Sequence, residues 1–209
     1  IVNTMSIEGQ HFVTDIWLGF NNGKQQISVD FYAQLITASH PHHHALTNYA
    51  KAVLVSLGLN SGPAHLEIKF TPRGPVLIEI GARLPGLMSQ KSIKKVLGVD
   101  LVELTIAAVT QPSRALKLIK QLGRPKFARH VYFNSTQEGK ILSLPDASQI
   151  EALDSCNEVM LLMKKGGQLH NTVTIPGRHA YAYFISDNEA QVENDYQRFL
   201  ELEKIFYKK

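Results

Sequence analysis

The chain has 209 residues, enough for two modest domains with cores of their own. Its 22 basic and 18 acidic residues leave a net charge of +4, spread without a long basic run, which speaks against a nucleic-acid-binding stripe. The single Cys156 excludes an internal disulfide and fits a reducing, cytoplasmic setting, and no apolar run approaches the roughly 20 residues that span a bilayer.

In chain order, residues 2–20 alternate well enough for two strands joined by a Glu8-Gly9-Gln10 turn. Asn21 to Lys24 marks a loop. Apolar spacing over residues 45–57 predicts a helix with Gly58 at its C-terminal end. Two short strands follow, joined by Thr71-Pro72-Arg73-Gly74. Residues 89–97 and 100–110 read as helices, the second capped by Asp100 and ended by Pro112. Residues 111–125 read as a connection between two units. Beyond it, 128–133, 159–163, 173–175 and 180–185 read as strands, with turns at 138–140, 165–167 and 176–178. Residues 146–154 predict a short helix. A final amphipathic helix starts at Asp187-Asn188 and carries Val192, Tyr196, Phe199, Leu200 and Leu202.

The segment from Gly62 to Gly86, GPAHLEIKFTPRGPVLIEIGARLPG, carries the chemistry. Strand side chains alternate faces, so Leu66, Ile68 and Phe70 oppose His65, Glu67 and Lys69. In the second strand Val76, Ile78 and Ile80 oppose Leu77, Glu79 and Gly81. Leu66, Ile68, Val76 and Ile78 are therefore expected in the core. If the turn closes an antiparallel pair, both carboxylates share an open face, where they repel unless something positive lies between them. A divalent cation with oxygen ligands suits such a pair, and Mg²⁺ takes one or two carboxylates with water and phosphates completing its shell. Arg83 adds a planar donor fork for phosphate or carboxylate. Solvated glutamates on a half-buried hairpin are the plainer reading, but Glu79 sits inside an apolar run where an unpaired charge is costly. Gly81 removes a side chain where a ligand could approach the backbone.

These residues resemble a family. H-x-E-I-K, a short turn, G-P-x-L-I-E-I-G-A-R-L-x-G and then G-V-D-L look like the C-terminal half of an ATP-grasp ligase. The likeness is nearest to the dipeptide-forming L-amino-acid ligases, which are also similar to biotin carboxylase. It covers nearly the whole chain: residues 1–17 look like a family hairpin, and 129–185 resemble the β-rich module that closes these enzymes. The resemblance implies an α+β fold, with an ATP-grasp C-terminal lobe at 1–124 and a smaller closing module at 125–209. It implies ATP and Mg²⁺ (with Mn²⁺ as a substitute), with Glu67 and Glu79 as metal and cofactor ligands and Arg83 as the catalytic cation. His65 and Gly86 are expected at the substrate end. The implied substrates are amino acids or other carboxylates and amines, joined through an acyl phosphate. The resemblance brings in no nucleic acid or membrane, and a homodimer is compatible with it.

The pattern also departs from the family. The biotin carboxylase pattern has an Asn ligand two residues after the second Glu, where this chain has Gly81; the amino-acid ligases lack it too. No phosphate loop is present, and the chain opens inside a strand pattern without an initiator Met. It is therefore expected to be a fragment that lacks the N-terminal, nucleotide-gripping lobe. The alternatives are a biotin carboxylase or carbamoyl-phosphate type of ATP-grasp enzyme and, for the isolated fragment, a module without turnover.

Other residues read more simply. His40 to His44 lack zinc-like spacing to a Cys or acid and are expected to form a helix-entry loop. His65 either orients Glu67, touches substrate, or is a polar rim residue. Lys69 is expected to pair with Glu67 or Glu79, and Arg178 and His179 to be surface turn residues. Cys156 has no evident His partner and is not expected to be a nucleophile.

Overall fold

The structure, a computed structural model, describes residues 1–21, 31–86, 88–123, 126–135, 137–144, 146–172 and 178–206. The expected strand at 173–175, the turn at Pro176-Gly177 and most of the Asn21–Lys24 loop lie outside these residues. The architecture is α+β. The chain divides into two compact units, Ile1–Leu18 with Leu35–Pro125, and Gly19–Gln34 with Lys126–Lys209.

The first unit is built on an antiparallel sheet. Strand β1 (Val2–Ile7) turns through Glu8 and Gly9 into β2 (Gln10–Phe20). Both turn residues have positive φ, 48° and 78°, the two-residue hairpin geometry that matches strand twist. On its other edge β1 pairs with β4 (Gly62–Thr71), which pairs with β5 (Gly74–Gly81), in the order β5-β4-β1-β2. Helix α1 (His43–Ser56) covers the face bearing Val2, Ala64 and Leu66, inserting Leu46, Ala50 and Leu54. Helices α2 (Gln90–Leu97) and α3 (Leu101–Thr110) start on side-chain caps, Ser89 and Asp100, which accept backbone N–H groups of the first turn.

Two expectations need correction here. Residues 112–119 are a helix, α4 (Pro112–Ile119), rather than part of a bare connection. Pro112 stands at its start, where a missing N–H costs nothing, and Ala115 is fully buried. Val76 and Ile78 are not core residues but 43% and 64% exposed. The register of β4 and β5 slips by one residue between Glu67 and Ile68, so Ile68 faces Leu77 while Glu67 faces Glu79. Ile78 is left as the extra residue of a bulge, and Leu77 and Ile80 turn to the core instead.

The second unit has its own antiparallel sheet, order β3-β6-β10-β8. It comprises β3 (Tyr32–Leu35), absent from the sequence reading, β6 (Phe127–Phe133), β8 (Cys156–Leu161) and β10 (Ala180–Ser186). Gly139 and Lys140, expected in a turn, form a two-residue strand β7 that pairs with β9 (Gln168–Leu169). Helices α5 (Ser148–Glu151) and α6 (Glu189–Phe206) pack Ile150, Val192, Tyr196 and Phe199 onto Val131, Phe133, Ala182 and Phe184. Arg178 and His179 are not loose turn residues. Arg178 lies 3.5 Å over the Tyr132 ring, and buried His179 donates from Nε2 to the His170 carbonyl at 2.6 Å. No helix among the described residues is long and apolar enough to cross a membrane.

Candidate active site

Glu67 and Glu79 are direct partners across β4 and β5, so their side chains leave the hairpin on one face. The Glu67 side chain is 45% exposed, and Glu79 is exposed. Among the described residues, no lysine or arginine stands within ion-pair distance of either carboxylate. Lys69, expected to fill that role, is exposed and pairs with neither. Two like charges thus face each other with no cation between them. Their donors are hard oxygens, half open to solvent, which is the donor set Mg²⁺ or Mn²⁺ takes; among the described residues no three His, Cys, Asp or Glu side chains already converge as a complete cage.

Arg83 comes next in the chain and folds back. Its N–H donates to the Gly81 carbonyl at 2.8 Å, and its guanidinium donates from Nη1 to the Leu84 carbonyl at 3.1 Å. A Cβ at position 81 would stand 3.3 Å from Arg83 Cγ and Nε. The space that glycine opens is therefore filled by the Arg83 side chain, which explains a glycine here more directly than approach of a ligand to the backbone. Gly86 lies exposed at a turn with open space above it.

His65 is the cross-strand partner of Gly81 on one side and of Asn3 on the other. Its Nε2 stands 3.9 Å from Glu67 Oε1. Its Nδ1 is 2.8 Å from Asn3 Oδ1, and Asn3 donates from Nδ2 to Asp15 Oδ1. Asp15 also accepts from Trp17 Nε1 at 2.7 Å and from Thr14 Oγ1 at 2.8 Å. Burial, seconded by the nearby Arg83 charge, pushes the His65 pKa down to about 4, so the ring is neutral at neutral pH. Burial raises the Asp15 pKa against the pull of its three side-chain hydrogen bonds. Asn3 and Asp15 escaped the sequence reading. Their signal was there as two short polar side chains inside apolar strands, a placement that demands partners.

The remaining candidates fall elsewhere. His43 and His44 enter α1, and His42 stacks on Phe70 of β4 at 4.1 Å, so the histidine run packs at a helix entry. Burial pushes the Cys156 thiol up to about 11, and neighbouring acids add to this, which fits a residue that does no nucleophilic work.

The fold is of the ATP-grasp kind, corresponding to a C-terminal half. No protein-family profile matches the chain. It is 26% identical over 210 residues to dapdiamide A synthase of Enterobacter agglomerans, an alignment that covers 99% of this chain and 49% of that protein. Among solved structures it is similar to L-amino acid ligase from Bacillus licheniformis, with TM-score 0.80, 18% identity, and coverage of 96% of this chain and 51% of that one. It is also similar to phosphoribosylglycinamide synthetase from Anaerococcus prevotii, with TM-score 0.74, 9% identity, and coverage of 96% and 51%. The chain thus spans about half the length of the proteins it matches.

Proposed function

We propose that these residues form the cation-binding half of the active site of an ATP-dependent carboxylate–amine ligase, with L-amino acids as substrates. The observation that carries the reading is the face-to-face Glu67–Glu79 pair, ion-paired to no lysine or arginine among the described residues, with Arg83 following β5. The name of one similar structure, an L-amino acid ligase, supports the substrate class, and dapdiamide A synthase supports a synthetic reaction. In this reading residues 1–124 are the ATP-grasp lobe and 125–209 the closing module. The groups that grip the nucleotide come from outside these residues, as the half-length match supports. A cytosolic setting fits ATP as the phosphoryl donor and the free Cys156.

The γ-phosphoryl group of ATP passes to a carboxylate oxygen, giving an acyl phosphate and ADP. The amine nitrogen then attacks the carbonyl carbon, phosphate leaves with the C–O bond electrons, and the nitrogen loses a proton to become an amide. Glu67 and Glu79 would hold Mg²⁺ or Mn²⁺, which supplies charge neutralisation for the phosphates. Arg83 steadies the transferring phosphoryl group or the tetrahedral oxyanion with its fork of N–H donors. His65 and Gly86 border the substrate end.

The test is phosphate release by the full-length protein supplied with ATP, Mg²⁺ and mixed L-amino acids, with products identified by mass. Release that needs amino acids and yields a dipeptide is expected. Release driven by bicarbonate instead would replace the reading with the carboxylase type.

A further inference from the structure

Asp15, Asn3, His65 and Gly81 form one row across β2, β1, β4 and β5, because each is the register partner of the next. Along this row the hydrogen bonds have a fixed direction. The Asp15 carboxylate is buried and takes the Trp17 indole N–H, a group that only donates, together with the Asn3 amide N–H. With its nitrogen committed to Asp15, the Asn3 amide turns its oxygen to His65. That oxygen only accepts, so His65 Nδ1 carries the proton. A cation held by the acid pair would disfavour a second proton on the ring, and a ring protonated only at Nδ1 has a bare lone pair on Nε2, the atom that faces Glu67.

The face therefore presents three acceptors, His65 Nε2 and two carboxylates, and no donor among them. Adjacent ligands of one small cation stand roughly 3 Å apart for bonds of about 2.1 Å. The observed 3.9 Å from Nε2 to Glu67 Oε1 is longer than that, and suits an imidazole that accepts from a water of the cation's shell. We propose that the buried Asp15–Asn3–His65 row is a tautomer lock that makes His65 Nε2 the outer-shell acceptor for water carried by the cation held between Glu67 and Glu79. His65 is then a positioning residue for the metal's water, and the inference rests on the metal reading of the acid pair given above.

Two substitutions separate this role from a merely structural one. In His65→Asn the amide nitrogen takes the place of Nδ1 and keeps the link to Asn3, but nothing replaces Nε2. In His65→Gln the terminal oxygen reaches the Nε2 position and keeps an acceptor there. Mn²⁺ binding to the full-length protein is read from the free-ion paramagnetic signal, and the tautomer from long-range ¹H–¹⁵N correlation on histidine-labelled protein, with H65N assigning the signal. Expected are an Nδ1-protonated ring, about tenfold or greater loss of Mn²⁺ affinity in H65N at unchanged melting temperature, and affinity within a few-fold of wild type in H65Q. Asn3→Leu should release the lock and give a mixture of tautomers. Wild-type Mn²⁺ affinity in H65N beside lost binding in E79Q would overturn the proposal alone, as would an Nε2-protonated ring. Undiminished Mn²⁺ binding in E79Q would overturn the metal reading beneath it, and the water contact with it.

Discussion

The two units treat charge in opposite ways. In the second, Arg129 is 5% exposed and is answered from several directions. Its Nη2 donates to Glu193 at 2.7 Å and to Gln34 at 3.2 Å, and its Cζ lies 4.3 and 4.5 Å from the centroids of the Tyr32 and Tyr196 rings, which pack edge to face beside it. The buried cation is offset by the Glu193 carboxylate and the two ring faces, although Nε and Nη1 find no hydrogen-bond partner among the described residues. In the first unit Glu67 and Glu79 face each other on an open strand pair, and among the described residues neither is ion-paired to a lysine or arginine, while the imidazole of His65 stands 3.9 Å from Glu67. One arrangement holds a fold together. The other stores repulsion that folding alone does not need, and that a bound cation would relieve.

The largest effect expected from this contrast is on activity. Glu79→Gln keeps shape and removes charge, so amide formation by the full-length protein should fall about 100-fold or more, equivalent to roughly 2.7 kcal/mol of transition-state stabilisation. Coupled phosphate release at saturating ATP reads it; turnover near wild type would return the hairpin to an ordinary solvated face. In the second unit the same kind of change should hurt the fold. Arg129→Met removes the buried charge and its ring contacts and should cost roughly 2 kcal/mol in urea unfolding. No change in midpoint would show that the stacked arrangement contributes nothing.

Glu203 sharpens the comparison through pH. It accepts the Asn134 N–H at 3.0 Å, but burial outweighs that bond and raises its pKa from 4.5 to about 7. A folded-state pKa above the unfolded value means the folded protein binds the extra proton. That contribution is fully present below about pH 4.5 and is lost as pH rises through 7. Stability should therefore drop between pH 5 and pH 8 by on the order of 1 to 2 kcal/mol, discounted for partial exposure, and Glu203→Gln should flatten the profile. A variant with the wild-type slope would contradict the assignment. The smallest effect carries the opposite sign from Arg129→Met. In metal-free protein, Glu79→Gln should raise stability by a few tenths of a kcal/mol, and the gain should shrink with added salt.

The acid pair was legible in the sequence because His65, Glu67 and Lys69 alternate cleanly with Leu66, Ile68 and Phe70, and a four-residue turn fixes the pairing. Its partner strand was less readable. Val76-Leu77-Ile78-Glu79-Ile80 is apolar at both parities, so alternation could not reveal the bulge that exposes Ile78 and turns Leu77 inward. Helix α4 was hidden by Pro112, which reads as a breaker until its position at the helix start is known. The contacts that hold the site and the Arg129 stack were out of reach for another reason. Asn3 and His65 are 62 residues apart, and Arg129 is 95 from Gln34, so no local pattern records them.

The central claim, that the opposed carboxylates hold a divalent cation, is tested most directly by Mn²⁺ titration of the full-length protein, following the free-ion signal in wild type, Glu67→Gln and Glu79→Gln. The account predicts a site in wild type that weakens sharply in both variants while their melting temperatures hold. Equal binding in all three proteins would contradict it.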